Sequence, residues 1–129
     1  MTGRLLAIAA GGAVGALLRF GLSGWVQHRT GAAFPWGTLA VNLAGCFCIG
    51  LLAGWFQHTP VSPWLRDLLM VGLLGALTTF STFSLESLRL LRDGEWLFAA
   101  GNVFGSCAAG LGLALLGLWT GQALAGAPN

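Results

Sequence analysis

Four long apolar stretches separated by short polar connections constrain this chain more than any other feature of its sequence. A helix crosses the hydrocarbon of a bilayer with about 20 predominantly apolar residues. Leu5 to Val26, Trp36 to Phe56, Leu65 to Leu91 and Trp96 to Leu124 each supply that length. Between them lie Gln27 to Pro35, Gln57 to Trp64 with two prolines, and the charged turn from Arg92 to Glu95. The pattern predicts an all-α membrane protein with four transmembrane helices in a single domain, residues 1–129. Charged residues make up only 8% of the chain and hydrophobic ones 56%, whereas an ordinary soluble domain carries about 25% charged residues. Arg4 ahead of an apolar run has the look of a signal peptide. The run continues past Arg19 to Val26 without a processing site, so it reads as a first membrane helix.

Six arginines, no lysine and four acids give a net charge of +2, too slight a balance to suggest nucleic-acid binding. Cys46, Cys48 and Cys107 are odd in number and lie inside apolar stretches, so no disulfide framework follows. Cys46 and Cys48 would point about 200° apart on a helix, which rules out a shared metal. All three read as small packing residues.

Trp25, Trp36, Trp55, Trp64 and Trp96 fall near the ends of the proposed spans, where amphipathic rings settle at the headgroups. An even number of crossings puts both termini on one side, with Arg4 and Arg66; Arg29, Arg89 and Arg92 lie on the other. Orientation normally follows a clear Lys/Arg excess on the cytoplasmic side. Here the count is close to even, which motivates the expectation that copies insert both ways and pair head to tail. Glycine pairs at small-xxx-small spacing, Gly11/Gly15, Gly50/Gly54, Gly101/Gly105 and Gly117/Gly121, suit close helix packing, within one chain or between copies.

A few residues do not belong in lipid. Arg19 would lie about ten ångströms inside the first span, and Asn42 and Asn102 about nine ångströms inside the second and fourth. Singly, a snorkelling Arg and an interhelical Asn are ordinary; together they suggest a polar layer. The third span carries Gly72, Gly75, Thr78, Thr79, Ser81, Thr82 and Ser84, where glycines precede a run of β-branched and hydroxyl residues that weakens a helix. One reading is an intact helix with hydroxyls bonded back to its own carbonyls. The other is a break near Thr78, tolerated at the midplane only when buried in protein or lining a wet cavity. If two copies met at such a break, the carbonyls of Gly75 and Thr78 would converge with their symmetry mates on a small hard cation such as sodium.

Phe80 and Phe83 share a helical face, as do Ser81 and Ser84. Ring edges carry partial positive charge and attract an anion without trapping it, although packing in a core is the ordinary use of phenylalanine. Amides, hydroxyls and ring edges together form the inventory an anion pathway needs. Catalysis finds no support: His28 and His58 lie in different connections, and there is no metalloprotease, redox, nucleophile-elbow or phosphate-loop motif.

At these residues the sequence resembles the CrcB/Fluc family of fluoride channels. The resemblance covers all four spans, through Gly11, Gly12, Gly15, Ala16 and Arg19; Gly37, Thr38, Leu39, Asn42 and Gly45; Gly75 and the run Thr78 to Ser84 with Glu86; and Asn102, Gly105 and Ser106. It implies an antiparallel, dual-topology homodimer in the cell's inner (plasma) membrane, with two pathways giving passive fluoride efflux and a structural sodium at the interface. By motif position, the carbonyls of Gly75 and Thr78 would hold the sodium. Phe80 and Phe83 would form ring-edge fluoride sites, Asn42 would donate to the ion, and Ser81, Thr82 and Ser106 would line a polar track. Arg19 would lie at the vestibule, with Asn102 and Glu86 as further polar positions. Ala76 replaces a frequent second glycine, and Phe104 interrupts the hydroxyl track of the fourth span.

The rival reading is a small dual-topology, proton-coupled exporter of cationic drugs. It needs a membrane-embedded carboxylate, and Glu86, toward one end of the third span, is taken as the only span acid. A non-transporting membrane subunit is a third possibility.

Overall fold

The computed structural model describes residues 1–31 and 33–126; the first connection and the domain boundaries reach Ala32 and the last three residues, which lie outside the described set. Among the described residues the chain is all-helical. Four helical runs are long and apolar enough to cross a membrane: Thr2–Thr30, Trp36–His58, Pro63–Arg92 and Trp96–Leu124. The first and second are single helices, α1 and α2. The third is split into α3, residues 63–77, and α4, Phe80–Arg92. The fourth is α5, Trp96–Leu124.

The ends follow local chemistry. Helix α1 runs four residues beyond the expected Val26 because nothing breaks it before Gly31, whose left-handed φ of 56° returns its N–H to the Gln27 carbonyl at 3.0 Å. Pro63 opens α3 behind Ser62, whose hydroxyl accepts from the Leu65 N–H at 3.3 Å. Helix α4 stops in a Schellman turn, with Glu95 N–H on the Leu90 carbonyl at 2.8 Å, Gly94 N–H on Leu91 at 3.2 Å, and Gly94 at φ 80°.

Packing pairs α1 with α3 and α2 with α5. Both pairs meet backbone to backbone. A Cβ at Gly11 would enter the Leu68 carbonyl and one at Gly15 the Leu73 carbonyl. Between α2 and α5, Gly50 and Gly54 abut the carbonyls of Ala114 and Leu118, while Gly117 and Gly121 abut those of Phe47 and Leu51. Three of the four expected glycine pairs are therefore internal contacts. A Cβ at Gly101 or Gly105 would meet nothing within 4 Å among the described residues. Val41, Leu74 and Leu77 form the small buried cluster where α2 crosses the end of α3.

Two segments are wound wider than an α-helix, with π-type turns over Asp67–Leu74 and Gly101–Gly105. Such turns occur often at functional sites. One expectation fails here: Glu86 is not the only acid within a span. Asp67 lies inside the third helical run, is buried, and forms an ion pair with Arg4 from the start of α1. Its place near the helix start hides it from a count of mid-span charges.

Candidate ion pathway at the helix break

Thr78 and Thr79 are extended, at φ −85°, ψ 153° and φ −147°, ψ 117°, so the third run is broken where glycine and hydroxyl residues meet. Thr79 caps α4, its hydroxyl accepting from the Thr82 N–H at 3.2 Å. Backbone groups freed by the break need partners in a medium without water, and two neighbouring helices supply them. Asn42 on α2 takes the Thr79 N–H on Oδ1 at 2.8 Å and donates from Nδ2 to the Thr79 carbonyl at 3.1 Å. In an unbroken helix that N–H would have gone to Gly75. Arg19 on α1 donates from Nε to the Ala76 carbonyl at 3.0 Å, the acceptor an unbroken helix would offer to Phe80. Close approach of α2 completes the arrangement: a Cβ at Gly45 would collide with the Thr78 methyl.

Beside the break lies an open groove of about 310 Å³. It brings together six of the sequence-predicted residues: Asn42, Gly75, Thr78, Phe80, Phe83 and Ser106. Among the described residues, its lining holds no ionised side chain. The Phe80 and Phe83 rings are 5.6 Å apart between centroids and tilted by 40°. Phe83 is buried, whereas Phe80 is 79% exposed and projects from the single chain.

The remaining predicted residues lie off the groove lining. Ser81 is exposed, with its hydroxyl 3.3 Å from that of Thr79, and Thr82 accepts from the Thr79 hydroxyl at 3.0 Å. Arg19 holds the break from behind. Asn102, expected as a further polar position, is 1% exposed and bonded to Ser87 and Ser106. Glu86 accepts from the Thr38 hydroxyl at 2.8 Å through Oε1, while its buried Oε2 has no hydrogen-bond partner among the described residues. Sequence reasoning assigned no part to Ser87. Its only signal was a position four residues after Phe83, where a serine hydroxyl reaches back to a carbonyl.

A family profile described as "CrcB-like protein, Camphor Resistance (CrcB)" matches residues 6–118. The fluoride-specific ion channel FluC 1 of Streptomyces avermitilis is 51% identical to this chain over 119 residues, 92% of this chain and 96% of its own. The fluoride-specific ion channel FluC of Geotalea uraniireducens is 51% identical over 121 residues, 93% of this chain and 98% of that one. Its namesake from Thermus thermophilus is 50% identical over 123 residues, 95% and 97% of the two chains. With the match running through all four helical runs and the break within the third, the chain belongs to the CrcB-like family.

Proposed function

We propose that this protein is a multi-pass channel of the cell membrane through which fluoride leaves passively. The observation that carries the reading is the groove at the broken third helix, where phenyl rings, an amide and hydroxyls meet with no ionised side chain among the described lining residues. Such groups attract a small anion in place of its water without trapping it. Relatives named as fluoride-specific channels, alike along nearly their whole length, support the choice of ion.

The working unit is an antiparallel homodimer. Phe80 and Gly75 are exposed in the single chain beside a backbone break, and broken backbone does not face lipid; a second copy is the cover that the even arginine count suits. Across that interface the carbonyls of Gly75 and Thr78 hold a structural sodium, which suits hard oxygen ligands.

The deciding measurement is anion efflux from liposomes containing the purified protein. Rapid fluoride loss with negligible chloride loss is the expected result. Sealed liposomes, or proton-coupled uptake of a cationic drug instead, would overturn it.

A further inference from the structure

We infer that Asn102 is a positioning residue for the anion path, fixing the Phe83 ring site and the Ser106 hydroxyl relative to each other across two helices; the inference rests on the fluoride reading above. Asn102 is the largest fully buried side chain among the described residues. An amide so placed must find partners for its polar atoms or pay a desolvation cost. It finds two, and they belong to one directed chain. The Ser106 hydroxyl donates to Asn102 Oδ1 at 3.3 Å, Asn102 Nδ2 donates to the Ser87 hydroxyl at 2.9 Å, and Ser87 donates to the Phe83 carbonyl at 2.8 Å.

Both ends of this chain line the groove, Phe83 on α4 and Ser106 on α5. Helix α4 packs chiefly against the first turn of α5, so the buried relay is the polar tie that sets α4 against the rest of α5. The π-type stretch Gly101–Gly105 contains Asn102, and widened turns of this kind are frequent at functional sites. The link from Ser106 is the longest of the three. An anion in the groove draws on the same Ser106 proton, and when that hydroxyl turns outward Asn102 Oδ1 loses its donor. Asn102 thereby sets both where the α4 turn carrying Phe83 stands and how readily the Ser106 hydroxyl turns to donate a hydrogen bond to the ion.

The test compares Asn102→Leu, Ser87→Ala, the double variant and Ser87→Thr. Fluoride efflux from liposomes is measured against fluoride concentration, with 19F spectra of protein carrying 4-fluorophenylalanine at Phe83. Asn102→Leu and Ser87→Ala should each raise the half-saturating fluoride concentration about tenfold, and the double variant should add less than about a further twofold, as members of one relay do. Ser87→Thr, which keeps the hydroxyl, should behave as the parent. Both damaging variants should move the Phe83 19F resonance, because the α4 turn that carries the ring has lost its tie to α5. Multiplicative losses in the double variant, unchanged half-saturation in correctly assembled protein, or an unmoved resonance would overturn the inference. A parent protein that passes no fluoride would sink the proposed function instead, and the 19F comparison would still decide the positioning role.

Discussion

Asn42→Leu is the perturbation that asks most of the helix break. Leucine has the same branched skeleton as asparagine and offers no polar atom, so the change removes both bonds to Thr79 and leaves its N–H and carbonyl without the partners they have. Each buried group stripped of its partner costs about 1–3 kcal/mol, which destabilises the open break by about 2–6 kcal/mol. Interhelical hydrogen bonds measured in membranes average only about 0.6 kcal/mol, because the freed group finds another partner. At this site the ready substitute for the Thr79 N–H is the Gly75 carbonyl, and that bond is the one a continuous helix would make. The variant therefore gains by closing the break, which rotates Phe80 and Phe83 away from their present relation to α2. Taking the lower figure, about 2 kcal/mol, the ratio of open to closed helix falls about thirtyfold, and fluoride efflux should fall with it. Efflux from liposomes, normalised to protein that elutes with the parent on size exclusion, reads the effect directly. Efflux within about threefold of the parent, equivalent to under about 1 kcal/mol, would show that Asn42 does not hold the break.

Other outcomes follow from the same geometry. Phe80→Ile should abolish fluoride efflux without preventing dimer formation; efflux and size exclusion on the same preparation check both. Gly15→Val pushes side-chain carbon into the Leu73 carbonyl and should cost at least about 1–3 kcal/mol, whereas Gly101→Ala meets open space within the chain and should not; thermal unfolding in detergent separates them. If the proposed dimer is held by an interfacial sodium, replacing sodium by a large organic cation during purification should shift it toward monomer on cross-linking. Cys107, exposed beside the groove in the single chain, should resist a bulky maleimide in liposomes and react after dissociation in harsh detergent.

Much of the architecture is legible because lipid enforces it. With no water to satisfy backbone groups, long apolar stretches must be helices, and three of the structure's helix boundaries, at Trp36, Trp96 and Leu124, fall where the composition changes. The break was legible as a weakness at Gly75 to Thr79, since propensity and side-chain competition are local properties. What resolves it was not. Asn42 and Arg19 lie 37 and 57 residues from the groups they bind, and no spacing rule connects them. Glycine pairs announced close packing without naming partners, so Gly101/Gly105 looked the same as Gly117/Gly121 although only the latter touches another helix. Asp67 was overlooked because a charge near a helix end reads as solvated, and only the fold brings Arg4 to it.

The polar residues that sequence alone would hand to the ion are largely engaged with the protein itself. Asn42 is bonded through both amide atoms to Thr79, Arg19 to Ala76, Thr38 to Glu86, and Asn102 to Ser87. This is what a conducting path in a low-dielectric medium requires. A row of free donors would bind a small anion too firmly to release it, and an ionised group would do so more strongly still. Donors already engaged offer only the difference between their present partner and the ion, so the attraction along the groove stays moderate. In the proposed channel the rings of Phe80 and Phe83, which have no competing hydrogen bond to give up, would then supply the part of the attraction that no internal partner offsets.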